Sequence, residues 1–190
     1  MSPPPAVSVR RAGRLKLLLI AAVFAAPMLL AVLLTVGGWQ PAGKASGEPV
    51  QPQRNFVEEG VRVTLADGTR YAWRDSEPRL TLVALAGPGC AARCVEALTR
   101  MTAARITLNR NAPRLRLLYL GTPPAGAAGE GMARYWLLGA DADGRLAAFR
   151  PQEADSVSAL LVESNGTALA RYPAGFDPTG LRKDLQKVIR

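Results

Sequence analysis

Apolar positions fall into one long block followed by several short periodic ones. Residues 17–36 read LLLIAAVFAAPMLLAVLLTV, 20 positions without a charge, with Arg14 and Lys16 just before them. That matches the ~20 residues a helix needs to cross a hydrocarbon core of ~30 Å. Lipid offers backbone polar groups no partner but each other, so the run is expected to be helical, and Pro27 in its middle is tolerated there better than in a soluble helix. The run exceeds the ~7–15-residue apolar core of a cleaved export signal, and Gly37-Gly38-Trp39-Gln40-Pro41 is a poor cleavage context. Arg10, Arg11, Arg14 and Lys16 precede it with no acid among them, which keeps that side cytoplasmic, and Trp39 suits the outer interface. The expected layout is a basic cytoplasmic N-terminus over 1–16, a single transmembrane anchor over 17–36, a linker rich in Pro, Gly, Ala, Ser and Gln over 37–55, and a globular domain over 56–190 on the far side. In a bacterium that is the inner membrane and the periplasm.

Within the domain the periodicity changes repeatedly. Residues 61–65 and 69–73 flank Asp67-Gly68 and predict a small hairpin. Residues 80–86, LTLVALA, are apolar throughout, as expected of a central strand covered on both faces. Gly87-Pro88-Gly89 ends that strand, and from 90 to 109 the spacing turns helical, with Cys94, Leu98, Met101, Arg105 and Leu108 on one stripe and Ala97, Ala104 and Ile106 beside it. Asn111-Ala112-Pro113 closes the helix, and 115–120 is a second strand, which makes a parallel crossover of right-handed sense. The Gly/Pro/Ala segment 121–131 is too rich in turn formers for regular structure. Residues 157–163 and 167–172 flank Ser164-Asn165-Gly166 as an antiparallel hairpin. A last helix begins with Asp177 as N-cap and Pro178 as first residue, its stripe being Leu181, Leu185, Val188 and Ile189. Strand, helix, strand, hairpin and terminal helix is the order of an α/β, thioredoxin-like fold, a central mixed sheet flanked by helices, with the N-terminal hairpin as an added decoration.

Charge narrows the function classes. The net charge is +9, but four of the 24 basic residues precede the uncharged run and all 15 acids follow it, leaving +5 beyond it. The arginines there are scattered among Ala, Gly and Pro instead of clustered with aromatics, and export argues further against a nucleic-acid partner. With no histidine in the chain, Ser-His hydrolysis is excluded. Asp141-Ala142-Asp143-Gly144 has the opening of a calcium loop, yet position 152, where the closing glutamate belongs, is Gln152, so the segment is read as a turn.

The two cysteines, Cys90 and Cys94, are the candidate catalytic residues. Four residues of helix rise about 6 Å, within the ~4.4–6.8 Å Cα separation of a disulfide, so the pair can close without large backbone movement. A thiol at a helix N-terminus faces unpaired N–H groups and the positive end of the dipole, and Arg93 adds a cation; both favour thiolate, the nucleophile of disulfide exchange and a soft ligand suited to Cu(I). The alternatives are a bridge that only staples a turn, for which so short a ring gives little loop entropy, or two ordinary buried thiols.

The segment Gly87-Pro88-Gly89-Cys90-Ala91-Ala92-Arg93-Cys94 after an apolar strand resembles the cysteine loop of the Sco/SenC copper chaperones. The segment 14–27 (RLKLLLIAAVFAAP) and the tail 171–185 (RYPAGFDPTGLRKDL) are similar to those of short Sco-like, cytochrome oxidase associated membrane proteins of proteobacteria. The resemblance implies a tethered thioredoxin-fold protein that assists cytochrome c oxidase assembly, with an oxidase subunit or another assembly factor as partner, and with Cys90 and Cys94 as sulfur ligands for Cu(I). Sco sites add a histidine, whose place by spacing falls near Asp155, too hard a ligand to replace imidazole. A Sco-type Cu(II) site is therefore not expected. Met101 and Met132 could each offer a thioether but are read as core filler. Two functions follow: a thiol-disulfide exchanger or transient Cu(I) carrier acting through the CxxxC pair, or a non-enzymatic anchored scaffold in which the cysteines are incidental.

Overall fold

The structure, a computed structural model, describes residues 7–36 and 45–189. The chain divides into two units, Met1–Lys44 and Ala45–Arg190. In the first, Val7–Val36 is one helix, α1, with Pro27 inside it. Its apolar side chains, among them Leu19, Phe24, Met28 and Leu33, are exposed. Among the described residues no helix is long and apolar enough to cross a membrane. The uncharged run 17–36 lies wholly within α1. The expected N-terminal and linker segments lie outside the described residues over 1–6 and 37–44.

The second unit is built on a seven-stranded mixed sheet. In chain order its elements are β1 (Glu48–Pro49), β2 (Val63–Leu65), β3 (Leu80–Ala86), α2 (Ala92–Ile106), β4 (Leu115–Leu120), α3 (Ala127–Met132), β5 (Leu137–Asp141), β6 (Val157–Val162), β7 (Ala168–Tyr172) and α4 (Pro178–Val188). The spatial order is β1-β7-β6-β3-β4-β5-β2. β3 pairs parallel with β4 and antiparallel with β6, and β6 with β7 forms the expected hairpin. The expected thioredoxin-like arrangement is thus present, with β3 at its centre.

Period-two alternation along β3 divides the core. Leu82, Ala84 and Ala86 face one layer with Leu98 and Met101 of α2 and Leu181 and Leu185 of α4. Val83 and Leu85 face the other, with Phe56, Val61, Tyr71, Trp73 and Leu146. Both faces of an apolar strand must be covered. Since α2 and α4 pack on the same face, the segment before β3 has to cover the other, so the N-terminal hairpin is a structural layer instead of a decoration. Its two buried aromatic polar groups are paired: the Tyr71 hydroxyl meets that of Thr81 in β3 at 2.7 Å, and Trp73 Nε1 donates to the Val61 carbonyl.

Other expectations need correction. The return arm of that hairpin, 69–73, forms no strand of its own but does meet β2, through the Thr64–Arg70 bridge and the bonds from Leu65 N–H to the Thr69 carbonyl and from Tyr71 N–H to the Val63 carbonyl, while β2 also pairs with β5. The segment 121–131 does contain a helix, α3, and the strand β5 was not foreseen. Short helices tolerate Gly when a neighbour supplies the packing, here Met132 and Trp136 buried on the helix side of the sheet. Part of the expected linker joins the domain. Glu48 and Pro49 pair with β7, and the Asp184 carboxylate, buried in α4, accepts the N–H groups of Ser46 and Gly47 at 2.7 and 3.1 Å. On the helix stripes, Ile106 and Val188 are exposed while their neighbours are buried.

Candidate functional site

β3 delivers the chain to the cysteine loop at its C-terminal end, and α2 leaves from it. Cys90 and Cys94 are joined as a disulfide, with Cα atoms 5.2 Å apart. Cys94 is buried and packs in the helix-side core, while Cys90 is half-buried against it. The two sequence-predicted residues are therefore together, with the first the more open.

A second segment, 153–156, is laid across this loop. The Asp155 N–H donates to the Pro88 carbonyl and the Gly87 N–H to the Ser156 carbonyl, both at 2.9 Å. Gly87 is required by this contact, because a Cβ there would stand 2.4 Å from the Glu153 carbonyl oxygen. Gly89 supplies a φ of +62° for the bend, a conformation costly for other residues. Asp155 itself lies at φ +52°, which a short polar side chain tolerates. Its carboxylate faces the start of α2, where the local N-cap position, Ala91, has no capping side chain. Oδ1 accepts the N–H groups of Ala91 (2.8 Å) and Cys94 (3.0 Å), and Oδ2 accepts that of Arg93 (3.0 Å). The Cys94 N–H is the largest cause holding the Asp155 carboxyl below its ordinary range, with the N–H groups of Arg93 and Ala91 and the Arg93 charge adding to it against some desolvation.

This corrects the expected basis for thiolate. The N–H groups of the helix start are not free for a sulfur, since Asp155 takes three of them. Arg93 is likewise turned to acids: its guanidinium lies 3.5 Å from Glu153 and 3.6 Å from Asp155, and donates to the Ala154 carbonyl. Nothing local in the sequence signals these contacts, since the partners lie 61 to 64 positions apart. Asp155 does lie beside the loop, near the position expected of a ligand, but it serves there as the cap of α2. A cleft of about 190 Å³ runs alongside, lined by Arg93, Ala97, Asp155, Val157 and Phe176 among others.

No metal-binding cluster accompanies the pair. Among the described residues no group of three or more His, Cys, Asp or Glu could hold a metal ion. Met101 and Met132 are core side chains, as expected. Asp155 accepts three backbone N–H groups and is a hard oxygen ligand, which makes it a poor third ligand for copper beside the two sulfurs. Asp141 and Asp143 form a turn, accepting the N–H groups of Leu146 and Arg62.

A thioredoxin-like domain with a cysteine pair at the turn from β3 into α2, in a chain that also carries the helix α1, defines the class. The family model described as transmembrane-like, thioredoxin-like, C-terminal domain matches residues 80–190, and that described as transmembrane-like, N-terminal domain matches residues 7–38. The chain belongs to this transmembrane-like, thioredoxin-like family. Among solved structures the fold is similar to that of apo Sco1 from Thermus thermophilus (15% identity, 76% of this chain and 96% of that one, TM-score 0.53). It is also similar to ScoI of Arabidopsis thaliana with copper bound (14%, 77% and 99%, 0.50) and to yeast Sco1 with copper bound (11%, 75% and 91%, 0.52). At these identities the likeness is one of fold. No curated protein matches the chain.

Proposed function

We propose that the protein is a membrane-anchored thiol-disulfide exchanger that acts on a cysteine pair of a cytochrome c oxidase subunit or assembly factor, from the periplasmic side of a bacterial inner membrane. The observation that carries the reading is the Cys90–Cys94 pair itself: one sulfur in the core, the other half-open, at the turn between the central strand and α2. In the reduced form Cys90 attacks a partner disulfide as thiolate and displaces one partner sulfur, which takes up a proton. Cys94 then attacks the Cys90 sulfur and releases the second. Two electrons and two protons pass to the partner, and the chain is left oxidised. The cleft beside Arg93 and Phe176 gives the incoming segment a place to lie. The cytoplasmic placement of the N-terminus is supported by the four basic residues before the uncharged run.

Two measurements test this. After reduction, a small alkylating reagent should label Cys90 faster than Cys94; the reverse order refutes the assignment of roles. Replacing both cysteines by serine should lower oxidase activity in membranes, and undiminished activity would favour the scaffold reading. A second reading treats Cu(I) as cargo: once reduced, the pair is two soft sulfurs on one side of a turn, and two of the similar folds carry copper in their structures.

A further inference from the structure

We propose that Asp155 is the positioning residue that sets the redox poise of the Cys90–Cys94 pair, by holding the cysteine loop in its closed geometry whether or not the sulfurs are bonded. The inference rests on the redox reading above.

The cysteine loop is held from both sides of Cys90 by contacts that involve no sulfur. Upstream, Gly87 and Pro88 are hydrogen-bonded to the backbone of Ser156 and Asp155. Downstream, the Asp155 carboxylate holds the N–H groups of Ala91 and Arg93, two of the three residues between the cysteines, and of Cys94 itself. Breaking the S–S bond removes none of these five bonds. Cys94 stays fixed by its buried side chain and its N–H, and the chain leading from Cys90 stays pinned at Ala91 and Pro88. The reduced sulfurs therefore remain facing each other, with Cα atoms near the 5.2 Å of the closed form. How readily a dithiol closes depends on how often its sulfurs meet, an effective molarity that restricted geometry raises.

The equilibrium is an exchange with an external dithiol. The Cys90–Cys94 bond breaks and the two sulfurs gain two electrons and two protons, while the external dithiol loses the same and closes its own S–S bond. A loop held closed by Asp155 favours the disulfide side. The Asp155 charge acts in the same direction, because it and Glu153 neutralise Arg93 and the helix start, which would otherwise favour negative sulfur.

The test uses the full chain in detergent, equilibrated with dithiothreitol at a series of reduced-to-oxidised ratios. Asp155→Ala should move the equilibrium about tenfold toward the reduced pair, about 30 mV for a two-electron couple. Asp155→Asn should lie between, because one amide oxygen can keep the bonds to Ala91 and Cys94 while the acceptor for Arg93 is lost. Leu185→Ala, a core change in α4, should lower stability and leave the potential in place. An unchanged potential in Asp155→Ala, or an equal shift in Leu185→Ala, overturns the proposal. Should Asp155→Ala fail to fold, amide hydrogen exchange on the reduced natural protein decides. Protection at Ala91, Arg93 and Cys94 is expected, and free exchange there overturns it. Oxidase activity plays no part in these measurements, so failure of the proposed physiological role leaves their outcome separate.

Discussion

Alanine at Gly87 should loosen the site without touching a sulfur or a charge. A Cβ at this position would stand 2.4 Å from the Glu153 carbonyl oxygen and 2.8 Å from Ser156 Oγ, whereas real Cβ contacts are essentially never under 3.0 Å. The two loops must therefore part by at least about 0.6 Å, the difference between 3.0 and 2.4 Å. Such a shift, carried to Asp155, would take its 3.0 Å bonds from Arg93 and Cys94 to about 3.6 Å, where a hydrogen bond is no longer formed. Overpacking of this kind costs about 1–3 kcal/mol, and in a domain of this size each kcal/mol lowers the melting midpoint by about 2–4 °C. The assay is thermal unfolding of the full chain in detergent, followed by circular dichroism, with amide exchange read at Ala91, Arg93 and Cys94. Gly89→Ala is the comparison. There the φ is +62° but nothing lies within 4 Å, so the cost is the ~1–2 kcal/mol of left-handed backbone, with exchange at those three amides unchanged. A Gly87→Ala protein as stable as the natural one, with the three amides still protected, would show that the loops are not in the contact described.

Further outcomes follow from the same contacts. Leu185→Ala should cost about 2–5 kcal/mol, because the side chain is fully buried, whereas Val188→Ala, half exposed one turn later, should stay within ~0.5 kcal/mol; similar losses would place the α4 stripe wrongly. Asp155 and Asp177 have carboxyls lowered in the folded chain, chiefly by the N–H groups of Cys94 and Thr179, so the unfolded chain binds protons more readily. Their contribution to stability is full above the unfolded carboxylate range of ~3.9 and is lost as the pH falls through their lower folded values. Asn at either position should therefore flatten the acid limb of a denaturant-midpoint curve, and an unaltered limb would count against it. An anaerobic titration should find Cu(I) bound by the reduced chain and not by the oxidised one, while a tight stoichiometric Cu(II) site in either form would refute the ligand argument.

The centre of the fold was legible because its strands are apolar on both faces. β3 and β4 lie at the sequence-read positions, and Asp177 caps α4 as its spacing with Pro178 suggests, accepting the N–H groups of Thr179 and Gly180. β5 has little apolar pattern to mark it, because only two of its five residues are large and apolar, and one of those, Leu137, is exposed. α3 is masked in the sequence by its composition, two of its six residues being glycine. At the cysteine loop, the spacing of Cys90 and Cys94 between an apolar strand and a helix start suggests that the two can close on each other, and they are joined. What Asp155 does was not legible, since a cap supplied from over 60 residues away leaves no trace in local pattern.

Both margins of the sheet are finished by very short strands, β1 with two residues and β2 with three. On the β1 side the outermost residues are Glu48, ion-paired with Arg171, and Pro49, which has no N–H to donate. An unpaired strand edge is a template for another chain, and proteins blunt it with short strands, charge and proline. Margins finished in this way offer a second copy of the domain little free backbone to pair with, so neither edge of the sheet is an open template for intermolecular strands.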